Sequence, residues 1–184
     1  LNGTNRKLTS TLGRISSGLR INKAADDAAG LAVAENLDAQ SRSLEQAIRN
    51  TNDGVAVIQT AEGATFEVQN ILKRMRELAV QSSSETLDDG ERAFIQDEYE
   101  QLAQEVDRIA AVTNFNGVNL ADGSAASLDV QVGIFNTGND RIGITLGDLT
   151  ATNLAIDTAT LDFSSAANAQ SAIDALDVAI DSVN

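Results

Sequence analysis

The sequence predicts a mainly α protein, an elongated antiparallel bundle of long helices with a small β-hairpin packed on it. Three observations carry this. Apolar residues recur at alternating steps of four and three over long stretches, the 184 residues contain no proline, and one pair of period-two segments lies late in the chain, joined by Asn- and Gly-rich residues. Alternating four–three spacing makes a heptad seam, which needs a partner helix to cover it. Without proline, no missing N–H forces a helix to stop.

The first helix carries Leu8, Leu12, Ile15 and Leu19 on one face. Residues 16–18 and then Arg20, Ile21 and Asn22 fit no helical phase, so the chain breaks there and runs extended over 20–25. Asp26 and Asp27 restart it, since a carboxylate bonds the first free N–H groups and favours the positive end of the helix dipole. The second helix, 27–80, is about 80 Å long at the usual rise per residue. Its seam begins with Leu37, Leu44, Ile48, Val55 and Ile58. It continues, slightly rotated, through Val57, Ala61, Ala64, Val68, Ile71, Met75 and Leu78. Gly54 and Gly63 weaken it locally, by about 1 kcal/mol each.

Residues 81–91, QSSSETLDDGE, form a polar turn in which Thr86 and Asp89 have the spacing of a capping box. A third helix, 88–112, repeats Ile95, Tyr99, Leu102, Val106 and Ile109. The short connection makes it antiparallel to the second. Leu128, Val130, Val132 and Ile134, then Ile142, Ile144 and Leu146, alternate with polar residues on either side of NTGND and predict the hairpin. Two strands alone are marginal in water, so the hairpin lies on helices. Residues 147–168 read as irregular. A last helix, 169–184, starts with Ile173, Leu176, Ile180 and Val183. The chain opens at Leu1 and closes at Asn184 inside helical patterns, so both ends read as cut.

The formal net charge of −14 argues against nucleic acid, whose affinity rests on Lys and Arg against phosphate. No apolar run approaches the roughly 20 residues of a membrane span, so no membrane insertion is expected. With no His and no Cys, the usual general base, zinc ligands and Ser-His or Cys-His nucleophiles are missing. The pairs Asp26/Asp27 and Asp88/Asp89 read as helix-start charges, and Glu98/Glu100 as a solvated face. The glycines of VGIFNTGNDRIG precede no helix and match no phosphate loop. NTGND and LADGSAASLD lack regularly spaced oxygen ligands and read as turns rather than calcium loops. The sequon at Asn2 reads as chance. No catalytic residue, cofactor or metal is expected.

RISSGLRINKAADDAAGLAVAENL, NTNDGVAVIQTAEGA, ILKRMRELAVQSSS and VTNFNGVNL closely resemble bacterial flagellin in order and spacing, near-completely over 8–120 and more loosely through the hairpin. AQSAIDALDVAIDSVN resembles the start of that family's C-terminal helix. The resemblance implies a secreted, extracellular subunit that polymerises into the flagellar filament. Its expected partners are other flagellin subunits, an export chaperone and cap proteins. It makes 1–17 a remnant of an inner-core helix, 18–27 a spoke, 28–120 the rod, 121–168 the hairpin with its irregular segment, and 169–184 the start of a C-terminal rod helix. Arg20, Asp26 and Asp27 would be polar filament contacts of the spoke. The break in the helix would let one chain occupy two concentric layers.

The resemblance also implies that the vertebrate Toll-like receptor for flagellin recognises this rod, through Arg74, Leu78, Gln81, Ile95 and Glu98. Lys73 stands where Gln is more usual. Leu78 also lies on the heptad seam, and it cannot be both core and exposed. With the inner coiled coil missing, this chain is expected to stay monomeric. The competing readings are a flagellin-related surface adhesin or a hook-filament junction protein. DDAAG and RELAVQS favour flagellin over the junction proteins.

Overall fold

The computed structural model describes residues 2–184, with Asn2 and Arg6 described by their backbone alone. Leu1, counted above in the first helix, lies outside the described residues. Four helices, α1 (Asn2–Ser17), α2 (Ala28–Ser82), α3 (Asp89–Val112) and α4 (Ala166–Val183), carry most of the chain. Two short strand pairs, β1 (Asn114–Phe115) with β2 (Val118–Asn119) and β3 (Ser127–Gln131) with β4 (Arg141–Thr145), lie between α3 and α4. The chain forms two compact units. One takes it up to Asn50 together with Gln131–Asp140, and the other holds Thr51–Val130 and Arg141–Asn184.

In the first unit, α1 stops because Gly18 turns left-handed at φ +72, where a side chain would be strained. Its N–H still donates to the Arg14 carbonyl at 2.9 Å. The Asn22 amide then closes the end, donating to Gly13 O at 3.1 Å and Ser17 Oγ at 2.7 Å. The link to α2 is a turn rather than the extended run expected from sequence, with Asp26 N donating to Lys23 O at 2.8 Å. At the hairpin tip, Val132 N and Gly133 N both donate to Asp140 O. Asn50 Nδ2 donates to Gln131 O at 3.0 Å, fastening the tip to α2.

In the second unit, α3 and α4 both run antiparallel to α2. For α3 the partners fall back from Ser82–Arg92 to Arg74–Glu98. For α4 they fall back from Ser82–Phe163 through Arg76–Asp177 to Gln69–Asn184. Covered by two helices, α2 buries more than one seam. Val68, Met75 and Leu78 are buried as the heptads require, and so are Leu72 and Ala79 beside them. On α4 the buried face is made by Ala169, Ala172, Leu176, Ala179 and Val183, whereas Ile173 and Ile180 are only partly buried. Three of these five are alanines, so the buried face lies toward small side chains and away from the predicted isoleucines.

Two local readings need correction. The α3 N-cap is Asp88, not Thr86: Asp88 Oδ1 accepts from Glu91 N at 2.7 Å, and Glu91 Oε2 accepts from Asp88 N at 3.1 Å. Thr86 instead pairs its hydroxyl with Ser84 Oγ at 2.7 Å. The last helix starts at Ala166, three residues before the predicted start, because Ser165 caps it through Asn168 N. Residues 147–165 form no long element, yet Leu149, Ala151, Leu154, Ile156, Leu161 and Phe163 are all buried. This segment is a third wall of the core, held by single contacts. Tyr99 meets Phe163 edge-on at 4.5 Å, Gln96 Oε1 accepts from Phe163 N at 2.9 Å, and Asp107 Oδ1 accepts from Ala151 N at 2.8 Å. The β1–β2 turn places Asn116 and Gly117 at φ 50 and 81, the left-handed pair a tight two-residue hairpin demands.

Candidate functional site

Two groups of side chains singled out in the sequence lie in different units. In the first unit, Asp26 and Asp27 divide the labour. Asp27 Oδ1 accepts from Gly30 N at 2.8 Å and caps α2. Asp26 Oδ2 accepts from Asn22 N and Lys23 N, both at 3.2 Å, and so shapes the turn rather than the helix start. A Cβ at Gly30 would sit 2.5 Å from Asp27 Oδ2 and 2.9 Å from Ile21 Cδ1, so the ends of both side chains would have to shift to admit one. Arg20 is exposed and joins no ion pair among the described residues.

The helices on either side of this turn present bare apolar seams. Leu8, Leu12, Ile15 and Leu19 are 57–74% exposed, and Leu37, Leu44 and Ile48 are 49–61% exposed. Isolated exposed leucines need no explanation, but a heptad row left uncovered is a surface built to meet another helix.

In the second unit the Arg74 guanidinium bridges two helices. Nε and Nη2 both donate to Glu98 Oε1 of α3, at 2.9 and 2.7 Å, and Nη1 donates to Glu77 Oε2 at 3.0 Å. These bonds, to Glu98 first and then Glu77, hold the Arg74 pKa above its ordinary value. Arg74, Gln81, Ile95 and Glu98 line one shallow depression with Leu87 and Phe94. Leu78 does not join them. It is 1% exposed and packs in the core, which settles its place in favour of the seam. Ile95 is 6% exposed, so it forms the floor rather than the rim.

Residues 1–126 match the family described as the bacterial flagellin N-terminal helical region. The chain belongs to the flagellin family. It is 48% identical to a flagellin of Halalkalibacterium halodurans over 93% of its own length and 62% of that protein's. It is 47% identical to flagellin B of Vibrio cholerae over 72% of its length and 35% of that protein's. The chain thus spans less than two thirds of either relative. In fold it is similar to the crystal structure of Bacillus cereus flagellin, with a TM-score of 0.62 at 33% identity over 74% of this chain and 77% of that one.

Two residues of this flagellin chain were not legible as part of the site. Phe94 is 76% exposed at the rim of the Arg74 depression. Its position just before Ile95 signals only that it points away from the seam. Arg92, 5% exposed, lies beneath the α2–α3 turn and donates to the carbonyls of Ser82, Ser84 (2.8 Å) and Leu87 (3.4 Å). A charged residue between capping and seam positions gave no sign of burial. No helix among the described residues is long and apolar enough to cross a membrane, and no group of three or more acidic side chains there is placed to hold a metal ion.

Proposed function

We propose that this chain is the core part of a structural subunit of the bacterial flagellar filament, exported, extracellular and serving motility rather than catalysis. The observation that carries the reading is the row of uncovered apolar residues on α1 and the start of α2, Leu8 to Leu19 and Leu37 to Ile48. Filament growth needs contacts that repeat without closing into a ring, and such a seam provides one side of them. Other flagellin subunits are the partners, with an export chaperone and cap proteins upstream of assembly. Arg20, Asp26 and Asp27 belong to the connecting spoke, where Asp26 shapes the turn, Asp27 caps α2 and Arg20 is left to contact a neighbour.

The test is assembly of the full-length gene product carrying Leu44→Asp and Ile48→Asp. Filaments should be lost while the helical circular dichroism of the 184-residue chain is unchanged. Normal filaments from that variant, or from a strain lacking the gene, would overturn the reading.

The Arg74 face supports a second role, recognition by the vertebrate Toll-like receptor for flagellin. What supports it is the gathering of Arg74, Gln81, Ile95 and Glu98 around one depression. Arginine held by a carboxylate presents a fixed fork, suited to directional contacts with a partner. Leu78, buried in the core, is not among the residues that line this face. Arg74→Ala and Glu98→Ala should each weaken binding of the receptor ectodomain without loss of helicity, and unchanged affinity in both would remove the assignment.

A further inference from the structure

Phe94 has no structural task that accounts for it. The core contacts of α3 are made by Ile95 and Tyr99, whereas the Phe94 ring is 76% exposed, more than any other large apolar side chain among the described residues. It stands at the edge of a depression of about 350 Å³ lined also by Leu87, Glu91 and Glu98. Glu77 reaches the same locality through its bond to Arg74. One arginine therefore faces three carboxylates around an open phenyl ring. A ring of that kind attracts a cation over its face, and a surplus of negative charge beside it strengthens the attraction.

We propose that Phe94 is an anchor of the Arg74 face, and that it receives an Arg or Lys side chain from a loop of the protein that docks there. The inference rests on the reading that a receptor recognises this face, and it adds the chemistry of the partner's side. Leu87 and the floor at Ile95 take the stem of that side chain, while Glu91 and Glu98 steer its charge. The occupant is a basic protein loop. An acidic segment would meet the rim of Glu77, Glu91 and Glu98 with like charge.

The experiment measures binding of the receptor ectodomain to the full chain and to Phe94→Ala, Phe94→Trp, Glu91→Gln and Arg74→Ala, with circular dichroism and thermal midpoints alongside. Phe94→Ala should weaken binding about tenfold or more, as loss of an anchor does. Phe94→Trp, the better cation acceptor, should bind as well as the parent chain or better. Glu91→Gln should lower the dependence of affinity on salt. All four variants should keep their helicity. If Arg74→Ala weakens binding but Phe94→Ala stays within about twofold, the anchor is wrong and the face is right. If Phe94→Ala weakens binding and Phe94→Trp is no better than alanine, an anchor exists but not a cation site, and the proposal fails. If neither Arg74→Ala nor Phe94→Ala has an effect, the receptor reading fails, and the anchor with it.

Discussion

The Tyr99 hydroxyl donates to the main-chain carbonyl of Ile156 across 2.5 Å, joining the middle of α3 to a segment with no regular structure. Both residues are fully buried. Burial pushes the phenol's pKa well above its ordinary 10, and the charge of Asp157 adds to the shift. The unfolded chain therefore loses this proton near pH 10 while the folded chain keeps it. Stability is fully present below that pH and falls as pH rises above it. Tyr99→Phe should cost about 1–2 kcal/mol at neutral pH, the worth of a buried hydrogen bond, while keeping the ring against Phe163. It should also flatten the alkaline fall in urea midpoint. Tyr99 is the one tyrosine in the sequence, so phenolate absorbance reads its titration directly. Titration near pH 10 in the folded state would contradict this account.

Arg92 is expected to be the most sensitive charged residue in the chain. Its guanidinium satisfies carbonyls at the end of α2 and in the following turn from a position 5% exposed. Removing it leaves buried acceptors without donors, where each charged hydrogen bond is worth about 1.5–3 kcal/mol. Arg92→Ala should lower stability by about 3 kcal/mol, and Arg92→Lys should recover only part, because an ammonium cannot span the same fork. Paired denaturant melts check this, and a loss below about 1 kcal/mol would show that the turn holds without it.

What the sequence revealed and concealed follows from periodicity. Val57, Ala64, Val68, Met75 and Leu78 on α2 and Ile95, Tyr99 and Val106 on α3 are buried where four–three spacing places them, whereas Ala61, Ile71, Leu102 and Ile109 are only partly buried, because α2 is covered from two sides and its buried face is wider than one stripe. Leu149 to Phe163 carry as much of the core, yet they sit there by single contacts such as Gln96 to Phe163 N and Asp107 to Ala151 N, and such contacts leave no period. The site was legible in the same uneven way. Arg74 and Glu98 are a polar pair on facing helices and come together. Leu78 obeyed the seam instead. Phe94 and Arg92 broke the local rule in opposite directions, one apolar and exposed, the other charged and buried, and pattern alone assigns neither.

The start of α4 should weaken in acid through Asp162. Its Oδ1 accepts from Ser164 N, and its Oδ2 from Ser164 Oγ and Asn168 Nδ2, each at 2.7 Å. The bonds from Ser164 hold its carboxyl below the ordinary 3.8. A lowered pKa contributes stability that is present above the ordinary value and is lost as pH falls through the lowered one. Between about pH 5 and pH 2 the thermal midpoint of Asp162→Asn should therefore fall less steeply than that of the parent chain. Asp122 and Asp177, lowered by Ser124 and Arg76 respectively, keep some acid dependence in the variant. Equal slopes would mean that Asp162 is not bonded this way in solution.

Two glycines inside α2 should respond oppositely to alanine. At Gly63 an added Cβ meets nothing within 4 Å. There the gain in helix propensity stands alone, and Gly63→Ala should stabilise the chain by about 0.5–1 kcal/mol. At Gly54 the same atom would lie 3.2 and 3.3 Å from the two methyl groups of Val130 in β3. A β-branched side chain has few rotamers with which to yield, so strain offsets the propensity gain. Gly54→Ala should therefore be neutral or destabilising, and Gly54→Ala combined with Val130→Ala should lose less than the sum of the two single changes, because the smaller residue relieves the clash. Urea midpoints of the four variants measure this. If Gly54→Ala stabilises as much as Gly63→Ala, the hairpin does not press on α2 at that point, and the predicted packing of strand on helix would be wrong there.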